Sequence, residues 1–330
     1  MTNTEIKMSP NYKRVAIVVP TIRPDSFKVF LNSWLFHEVT KYDVHLFVIE
    51  DNPKQTITVP NPQIDVFSWH EINETDFAPI IPRRTDCIRS FGFWLAYQWD
   101  ADYVITLDDD CLPLDGMRAT EFIDSHINAL SYHHDKWVWT TKDHKSRGVP
   151  YGNTFTTETL VNMGFWRGVT DHDAVSQLVY GEEDLEPNIM SPVPGGVFFP
   201  MCGMNLSFKR AAIPMMYFLL MGKGERFDRF GDIWCGLFAK KISDHLGYAM
   251  SSGTPSVHHE RASNVWNNFD KEHSGLPVNE EFWQVVDKIR LKKNSITACY
   301  VELAQGLKGK VNKDIDKIAD AMMAWGRLYV

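Results

Sequence analysis

The chain of 330 residues is long enough to bury a large core, as one α/β domain or as a domain with an appended subdomain. Hydrophobic residues make up 44% and charged residues 23%, which is an ordinary globular composition. The formal net charge of -8 argues against a general nucleic-acid-binding protein, because such proteins present a basic surface.

Targeting and redox signals are also informative. Residues 1–10 are polar and lack the apolar core of a secretory signal, and no apolar stretch approaches the length of a membrane span. The five cysteines are scattered and none forms a C-x-x-C pair, so reduced thiols are expected. We therefore expect a cytoplasmic protein with no membrane span and no nucleic-acid partner.

The first half of the chain alternates short apolar runs with helical patterns. Strands are predicted over residues 14–19, 44–49, 64–69 and 103–107. Apolar residues at helical spacing predict helices over residues 25–39 and 84–99. This alternation is typical of βαβ units, so the sequence predicts an α/β fold with a mostly parallel sheet and a nucleotide-binding layer in this half.

The second half is less regular. Residues 136–139 predict a strand, and the polar residues 140–152, punctuated by Gly and Pro, predict a loop. Residues 232–245 predict a helix with Asp232 near its N-terminal end, where the helix dipole favours a carboxylate.

The last part of the chain has a different character. From residue 280 onward the pattern is helical, with a break at 306–312, and no clear linker precedes it. We expect one continuous catalytic domain over residues 1–275. A helical C-terminal extension over residues 276–330 would pack on it.

Three consecutive aspartates, Asp108, Asp109 and Asp110, directly follow the predicted strand 103–107 and precede Cys111. Carboxylates at one strand end repel one another, and a hard divalent cation would compensate, since oxygen ligands suit Mg²⁺ or Mn²⁺. In open α/β sheets, ligands bind beyond the carboxyl ends of the strands. On the triplet alone, a metal site and a solvated acidic turn are equally open.

Further motifs are distributed along almost the whole chain. They are Val19-Pro20-Thr21-Ile22-Arg23, residues 199–206 (FPMCGMNL), 216–218, 220–222, 243–246, 262–264, 299–303 and 319–322. Together with the aspartate triplet and Cys111, they resemble in the same order the reversibly glycosylated polypeptides, also known as the UDP-arabinopyranose mutase family. The resemblance is weakest over residues 54–82 and 137–195.

Proteins of this family are similar to glycosyltransferases with a GT-A-like fold. The resemblance implies a UDP-sugar substrate and a cation, Mn²⁺ or Mg²⁺, held by a D-x-D motif: Asp110 as ligand, Asp108 on the ribose or the metal and its waters. Aligning on Ala262-Ser263-Asn264 makes His259 the third ligand ahead of His258, against the alternative of a surface His pair. A cation would stabilise charge on departing UDP. No flavin is expected, because no G-x-G-x-x-G follows the first strand.

Other polar and aromatic residues are candidates for contacts with the UDP-sugar. Asp51 ends the second strand, where it could bind uracil or ribose or simply form a turn. By resemblance, Thr21 and Arg23 belong to the base-and-phosphate loop. Arg89, in an Arg-x-Phe-Gly pattern, would contact diphosphate or ribose, unless it is an ordinary exposed helix arginine. Trp166 is assigned to the sugar, against a role in the core.

Three catalytic candidates also come from the resemblance. Asp232 lies in a family Asp-Asp-x-Trp motif whose first aspartate is Gly231 here, so it would act alone, or it caps the following helix. Arg147 resembles the arginine that the family self-glycosylates, with Val149 in place of an aromatic residue. A diphosphate clamp is the equal alternative for Arg147, since a guanidinium stays protonated. Asp173 could take the proton of Arg147.

These features predict a metal-dependent nucleotide-sugar enzyme. The specific hypothesis is a mutase that interconverts UDP-arabinopyranose and UDP-arabinofuranose, with a glycosyl adduct on Arg147. The alternatives are a glycosyltransferase with an external acceptor and a non-catalytic nucleotide-sugar-binding subunit, which the Gly231 departure keeps open. Family behaviour implies a homo-oligomer or hetero-oligomer.

Overall fold

The structure is a computed structural model that describes residues 12–135, 137, 146–150, 156–169, 171–181, 191–260 and 264–330. The strands in these residues are β1 (Arg14–Thr21), β2 (Asp43–Glu50), β3 (Ile64–Phe67), β4 (Tyr103–Leu107), β5 (Cys111–Leu112), β6 (His133–Asp135), β7 (Thr156–Gly168), β8 (Ser191–Pro192), β9 (Asn205–Lys209) and β10 (Ala249–His259). The α-helices are α1 (Pro24–Trp34), α2 (Trp69–Asn73), α3 (Arg89–Gln98), α4 (Ala119–Ser131), α5 (Ala174–Tyr180), α6 (Gly231–Leu246), α7 (Val265–Glu272), α8 (Leu276–Lys288), α9 (Ile296–Leu307) and α10 (Lys313–Arg327).

A single mixed sheet forms the centre of the molecule. Its order is β3-β2-β1-β4-β9-β7-β10-β5, with β6 beside β7 and β8 beside β10. The neighbours β3, β2, β1 and β4 are parallel, and so are β7 and β10, while β9 runs antiparallel between β4 and β7. Most of the described strands therefore run in one direction. The predicted α/β class and mostly parallel sheet are confirmed.

The sheet separates two hydrophobic clusters, as the alternation of side chains along a strand requires. In β1, Val15, Ile17 and Val19 face the cluster under α1 and α4. Ala16 and Val18 face the larger cluster, which includes side chains of α3, α6, α9 and α10. Because both faces are covered, the parallel strands are continuous apolar runs, which is why they are readable in the sequence.

The C-terminal helices contribute to the larger cluster. The ring of Trp325 in α10 is stacked on Tyr217 at 5.3 Å between centroids. Phe282 in α8 packs against Trp234 in α6 at 4.6 Å. Residues after 275 thus complete a core that begins in the first half of the chain.

Several predicted boundaries differ from those observed. The first helix ends at Trp34 because Leu35 adopts a left-handed φ of 50°. The helix predicted from residue 84 begins at Arg89, because Arg84 also has a positive φ, 63°. Strand β1 runs through Pro20, which is tolerated since only β2 pairs with the strand at that point.

Two further expectations concern the middle of the chain and membrane insertion. Of the strand predicted over residues 136–139 only residue 137 is among the described residues, and most of the loop 140–152 lies outside them. Among the helices of the described residues, none combines the length and apolarity needed to cross a membrane.

Candidate functional site

A cleft with a volume of about 1230 Å³ opens at the carboxyl ends of the parallel strands. Sequence-predicted site residues line it: Thr21, Arg23, Asp51, Arg89, Asp108, Asp110, Trp166, Asp173, Asp232 and His259. Arg147 is exposed and is not among the residues that line the cleft, whereas Asp173 is.

Parallel pairing explains why residues far apart in sequence meet here. The strands β1, β2 and β4 end beside one another, so the polar residues that follow them share one edge of the sheet. The backbone N–H of Asp51 donates to the carbonyl of Thr21 across 2.8 Å, which fixes two of these strand ends to each other.

Asp109 is the structural member of the aspartate triplet. It is 4% exposed and accepts a hydrogen bond from the Thr21 hydroxyl at 2.6 Å. The Arg23 guanidinium forms an ion pair with Asp109 and also donates to Asp110 at 3.2 Å. Thr21 and Arg23 therefore hold the triplet in place, whatever they also contact in a ligand.

Arg89 is buried and holds Asp108. Its Nη2 donates to Asp108 at 2.5 Å, and Nη1 donates to the Thr106 hydroxyl at 3.0 Å and to the Gly203 carbonyl at 2.6 Å. Its Nε donates to the carbonyl of Asp86 at 3.1 Å. Most of its donors are thus engaged by the protein, and the Asp108 carboxylate counteracts burial to raise the pKa of Arg89.

His259 lies next to the triplet through strand pairing. It is opposite Cys111 in the β10–β5 pair, and the following N–H, of Glu260, donates to the carbonyl of Asp110 at 3.1 Å. Its Nδ1 is 2.7 Å from the Val169 carbonyl, which can only accept, so Nδ1 carries the proton. The Nε2 lone pair of the neutral ring is then available to a metal, the usual arrangement of a histidine ligand.

The donor set suits a divalent cation. Asp108 Oδ2 and Asp110 Oδ1 have no hydrogen-bond partner among the described residues. Burial, and then the charge of Asp108, raise the pKa of Asp110, and a cation would relieve this repulsion. Among the described residues, however, no three His, Cys, Asp or Glu side chains are placed so that together they could hold a metal ion. The ligand types fit Mg²⁺ or Mn²⁺, and their assignment stays a prediction.

Asp51 is buried at the base of the cleft. Its carboxylate accepts hydrogen bonds from Trp69 Nε1 at 2.6 Å and from the Thr85 N–H at 3.1 Å. Burial raises the pKa of Asp51 in spite of these bonds. A carboxylate held by two donors is fixed in orientation, as a base- or ribose-recognising group must be.

Asp232 is in the first turn of α6, whose N-cap is Phe230, so the interpretation of Asp232 as the N-cap is wrong. Its carboxylate accepts from the N–H groups of Gly203 at 2.9 Å and Ile233 at 2.8 Å. Burial, followed by the negative charge of Asp86, raises the pKa of Asp232 to about 8. At neutral pH this carboxyl group is largely protonated, which suits a proton donor.

Close packing explains why residue 231, directly before Asp232, is a glycine. A β-carbon at Gly231 would lie 2.3 Å from the Phe218 carbonyl oxygen and 2.6 Å from Cys87 Sγ. The backbone of α6 is too close to its neighbours for any side chain there. The departure from the Asp-Asp-x-Trp pattern therefore accompanies a local close approach in this chain.

The two remaining candidates have structural contacts as well. Asp173 is the N-cap of α5 and accepts from the N–H of Ser176 at 3.0 Å and from its hydroxyl at 2.6 Å. Trp166 on β7 is half-buried and packs against the cluster under α1 while lining the cleft. Neither contact conflicts with a second role toward a ligand.

The cleft also contains residues that the sequence reasoning missed. The Cys202 thiol donates to Asp171 at 2.9 Å, and Asp86, Asp228 and Arg229 complete this side of the cleft. Their positions beside predicted site residues could have indicated them. Asp86 shortly precedes Arg89, and Asp228 and Arg229 shortly precede Gly231.

Comparison with known sequences decides the family. The family described as "Reversibly glycosylated polypeptide" matches residues 10–330 of this chain.

The chain belongs to this family. It is 33% identical to probable UDP-arabinopyranose mutase 4 of Arabidopsis thaliana, over 97% of this chain and 91% of that protein. It is 32% identical to UDP-arabinopyranose mutase 1 of Arabidopsis thaliana, over 94% of this chain and 90% of the relative. The identity to probable UDP-arabinopyranose mutase 1 of Pisum sativum is 34%, over 94% and 88% respectively.

Solved structures show weaker similarity. TarS residues 1–349 of S. aureus has a TM-score of 0.41 and 10% identity, over 96% of this chain and 91% of the other. Glucosyl-3-phosphoglycerate synthase from Mycobacterium tuberculosis, in complex with Mg²⁺ and UDP, has a TM-score of 0.38 and 12% identity, over 76% and 73%. Similarity at this level says nothing about substrate.

Proposed function

We propose that this member of the reversibly glycosylated polypeptide family interconverts UDP-arabinopyranose and UDP-arabinofuranose. The observation that carries the proposal is the near-full-length similarity to relatives named UDP-arabinopyranose mutase. The acidic cleft at the strand ends supports it, because that edge is where α/β sheets bind nucleotides.

Each group of predicted site residues would have its own role. Asp108, Asp110 and His259 would hold Mn²⁺ or Mg²⁺, whose charge would stabilise the departing diphosphate. Asp51, with Thr21 and the nearby backbone, would orient the uridine.

Asp232 would act on the sugar side of the cleft. Its carboxyl group holds a proton at neutral pH and lies next to the Gly203 N–H. A proton held there could be delivered to a ring or hydroxyl oxygen as the pyranose form opens and recloses. Trp166, half-buried on the cleft wall, would offer an apolar face to the sugar.

The product distinguishes this function from its alternatives. The protein is incubated with UDP-arabinopyranose and Mn²⁺ without an acceptor, and the nucleotide-sugars are separated by chromatography. UDP-arabinofuranose is the expected product. Slow release of UDP without the furanose form would instead favour a glycosyltransferase. Binding without any conversion would favour a non-catalytic subunit.

Arg147 has a separate proposed role. Its exposed position outside the cleft lining gives no contact that favours a diphosphate clamp over a glycosyl acceptor. We propose it only as the residue that receives a glycosyl group. Full turnover by Arg147→Ala would exclude a covalent intermediate on this residue while leaving the mutase proposal intact.

We also propose a cytoplasmic location and self-association. All five cysteines are free thiols, which supports a cytoplasmic location. Self-association, expected from the family, can be measured by light scattering of the purified protein.

A further inference from the structure

The basic residues of the cleft differ in what balances their charge. Arg23 is paired with Asp109 and Asp110, and Arg89 is paired with Asp108. Both arginines that the sequence assigns to phosphate are therefore already neutralised by carboxylates. An anionic ligand would have to compete with those pairs.

Arg229 lines the same cleft without such a partner. The side-chain contact that the described residues give its guanidinium is a long one, from Nη2 to Asn268 Oδ1 at 3.4 Å. A guanidinium has five N–H donors, so most of those of Arg229 remain available. Arg84 and Lys271 also line the cleft, but their side chains are exposed, whereas Arg229 is half-buried.

The backbone and the local charges keep Arg229 in this position. Its φ of 69° is left-handed, which costs a non-glycine residue about 1–2 kcal/mol and is found where surrounding structure imposes it. Burial lowers the pKa of Arg229, but the charges of Asp86, Asp228 and Asp108 outweigh this and raise it. Arg229 therefore stays charged, with acidic groups near it but no ion pair formed by its guanidinium among the described residues.

We propose that Arg229 binds the diphosphate of the nucleotide-sugar, with its guanidinium donating to two phosphate oxygens. A guanidinium and a phosphate match in geometry and charge, and such paired hydrogen bonds are strong. The charge of Arg229 also acts on Asp108, so the two lie in the same part of the cleft. The assignment rests on the proposed function, because it presupposes a nucleoside diphosphate in the cleft.

The test compares UDP with uridine, which lacks phosphate, by calorimetry in the presence of Mn²⁺. Loss of hydrogen bonds to a charged group predicts that Arg229→Gln weakens UDP binding by about 10- to 100-fold. Uridine binding should change less than about twofold, because the nucleoside does not reach Arg229. Arg226→Gln is the matched control: Arg226 is on the same segment, is exposed and pairs with Asp314 at 3.6 Å.

The outcomes separate this assignment from the proposed function. Wild-type protein that binds neither ligand overturns both. Wild-type protein that binds UDP, with Arg229→Gln binding it equally well, overturns the assignment alone, as does an equal loss of UDP and uridine. Arg229→Lys keeps the positive charge but lacks the paired N–H donors of a guanidinium, so it should bind UDP with intermediate affinity. It provides the same comparison if the glutamine variant does not fold.

Discussion

His258 and His259 are adjacent in the sequence but face opposite sides of β10. His259 is 6% exposed and its ring is hydrogen-bonded to the Val169 carbonyl, whereas the His258 side chain is 43% exposed and lies 3.7 Å from Glu260. We expect His259→Ala to weaken Mn²⁺ binding by at least about tenfold and His258→Ala to leave it within about twofold. Titration of Mn²⁺ followed by electron paramagnetic resonance measures both. Equal effects of the two substitutions would contradict the assignment of His259.

Asp232 makes the stability of the fold depend on pH. Its pKa is about 8 in the folded state, whereas an unfolded aspartate titrates near about 4. Between these values the folded state binds more protons than the unfolded state. The contribution of Asp232 to the free energy of unfolding is therefore complete below about pH 4 and is lost as the pH rises to about 8.

Asp232→Asn removes this titration. We expect the melting temperature of wild type to fall more steeply than that of the variant between about pH 5 and about pH 8. Thermal unfolding followed by circular dichroism at several pH values measures the two slopes. Parallel slopes would show that another group controls the pH dependence.

At the scale of elements, the start of α6 depends on close packing. A β-carbon at Gly231 would clash with a backbone carbonyl, and backbone cannot move aside as a flexible side chain can. We expect Gly231→Ala to lower the free energy of unfolding by about 1–3 kcal/mol.

Gly195→Ala is the matched control, because a β-carbon at Gly195 meets no atom within 4 Å. Urea denaturation compares the two variants. Similar stabilities would mean that α6 can shift to admit a side chain at residue 231, and then the missing aspartate would need a different explanation.

At the scale of the whole molecule, we propose a catalytic domain, residues 1–275, and a C-terminal extension, residues 276–330. The two parts share one hydrophobic core, and we expect the stability of each to depend on it. Trp325 is fully buried and stacks on Tyr217, which precedes the extension. Trp325→Ala should lower the free energy of unfolding by about 3–5 kcal/mol, with one transition for both parts.

Trp266, which is 62% exposed, provides the control for this prediction. Its replacement by alanine should change the free energy of unfolding by less than about 0.5 kcal/mol. Urea unfolding is followed in parallel by tryptophan fluorescence and circular dichroism. Two separate transitions in Trp325→Ala would show that the extension unfolds independently of the catalytic domain.

The sequence by itself determined the α/β class, the family and the strand ends at which the candidate site lies. Parallel strands covered on both faces are runs of apolar residues, and polar residues that end such runs must meet at one edge of the sheet. Asp51, the aspartate triplet and His259 were found in this way or by resemblance. The sequence did not determine the helix boundaries, because left-handed residues such as Leu35 and Arg84 adopt a conformation that their own preference disfavours.

Only the tertiary structure decided how the charges of the site are paired. Arg23 is 86 residues from Asp109, and Arg89 is 114 residues from Gly203, so no local pattern shows that these donors are engaged. The same reason explains why Gly231 excludes a side chain and why Arg229 lines the cleft without a carboxylate ion pair among the described residues. Hydrogen bonds and close contacts depend on distances of a few tenths of an ångström between distant segments, and those distances exist only once the chain has folded.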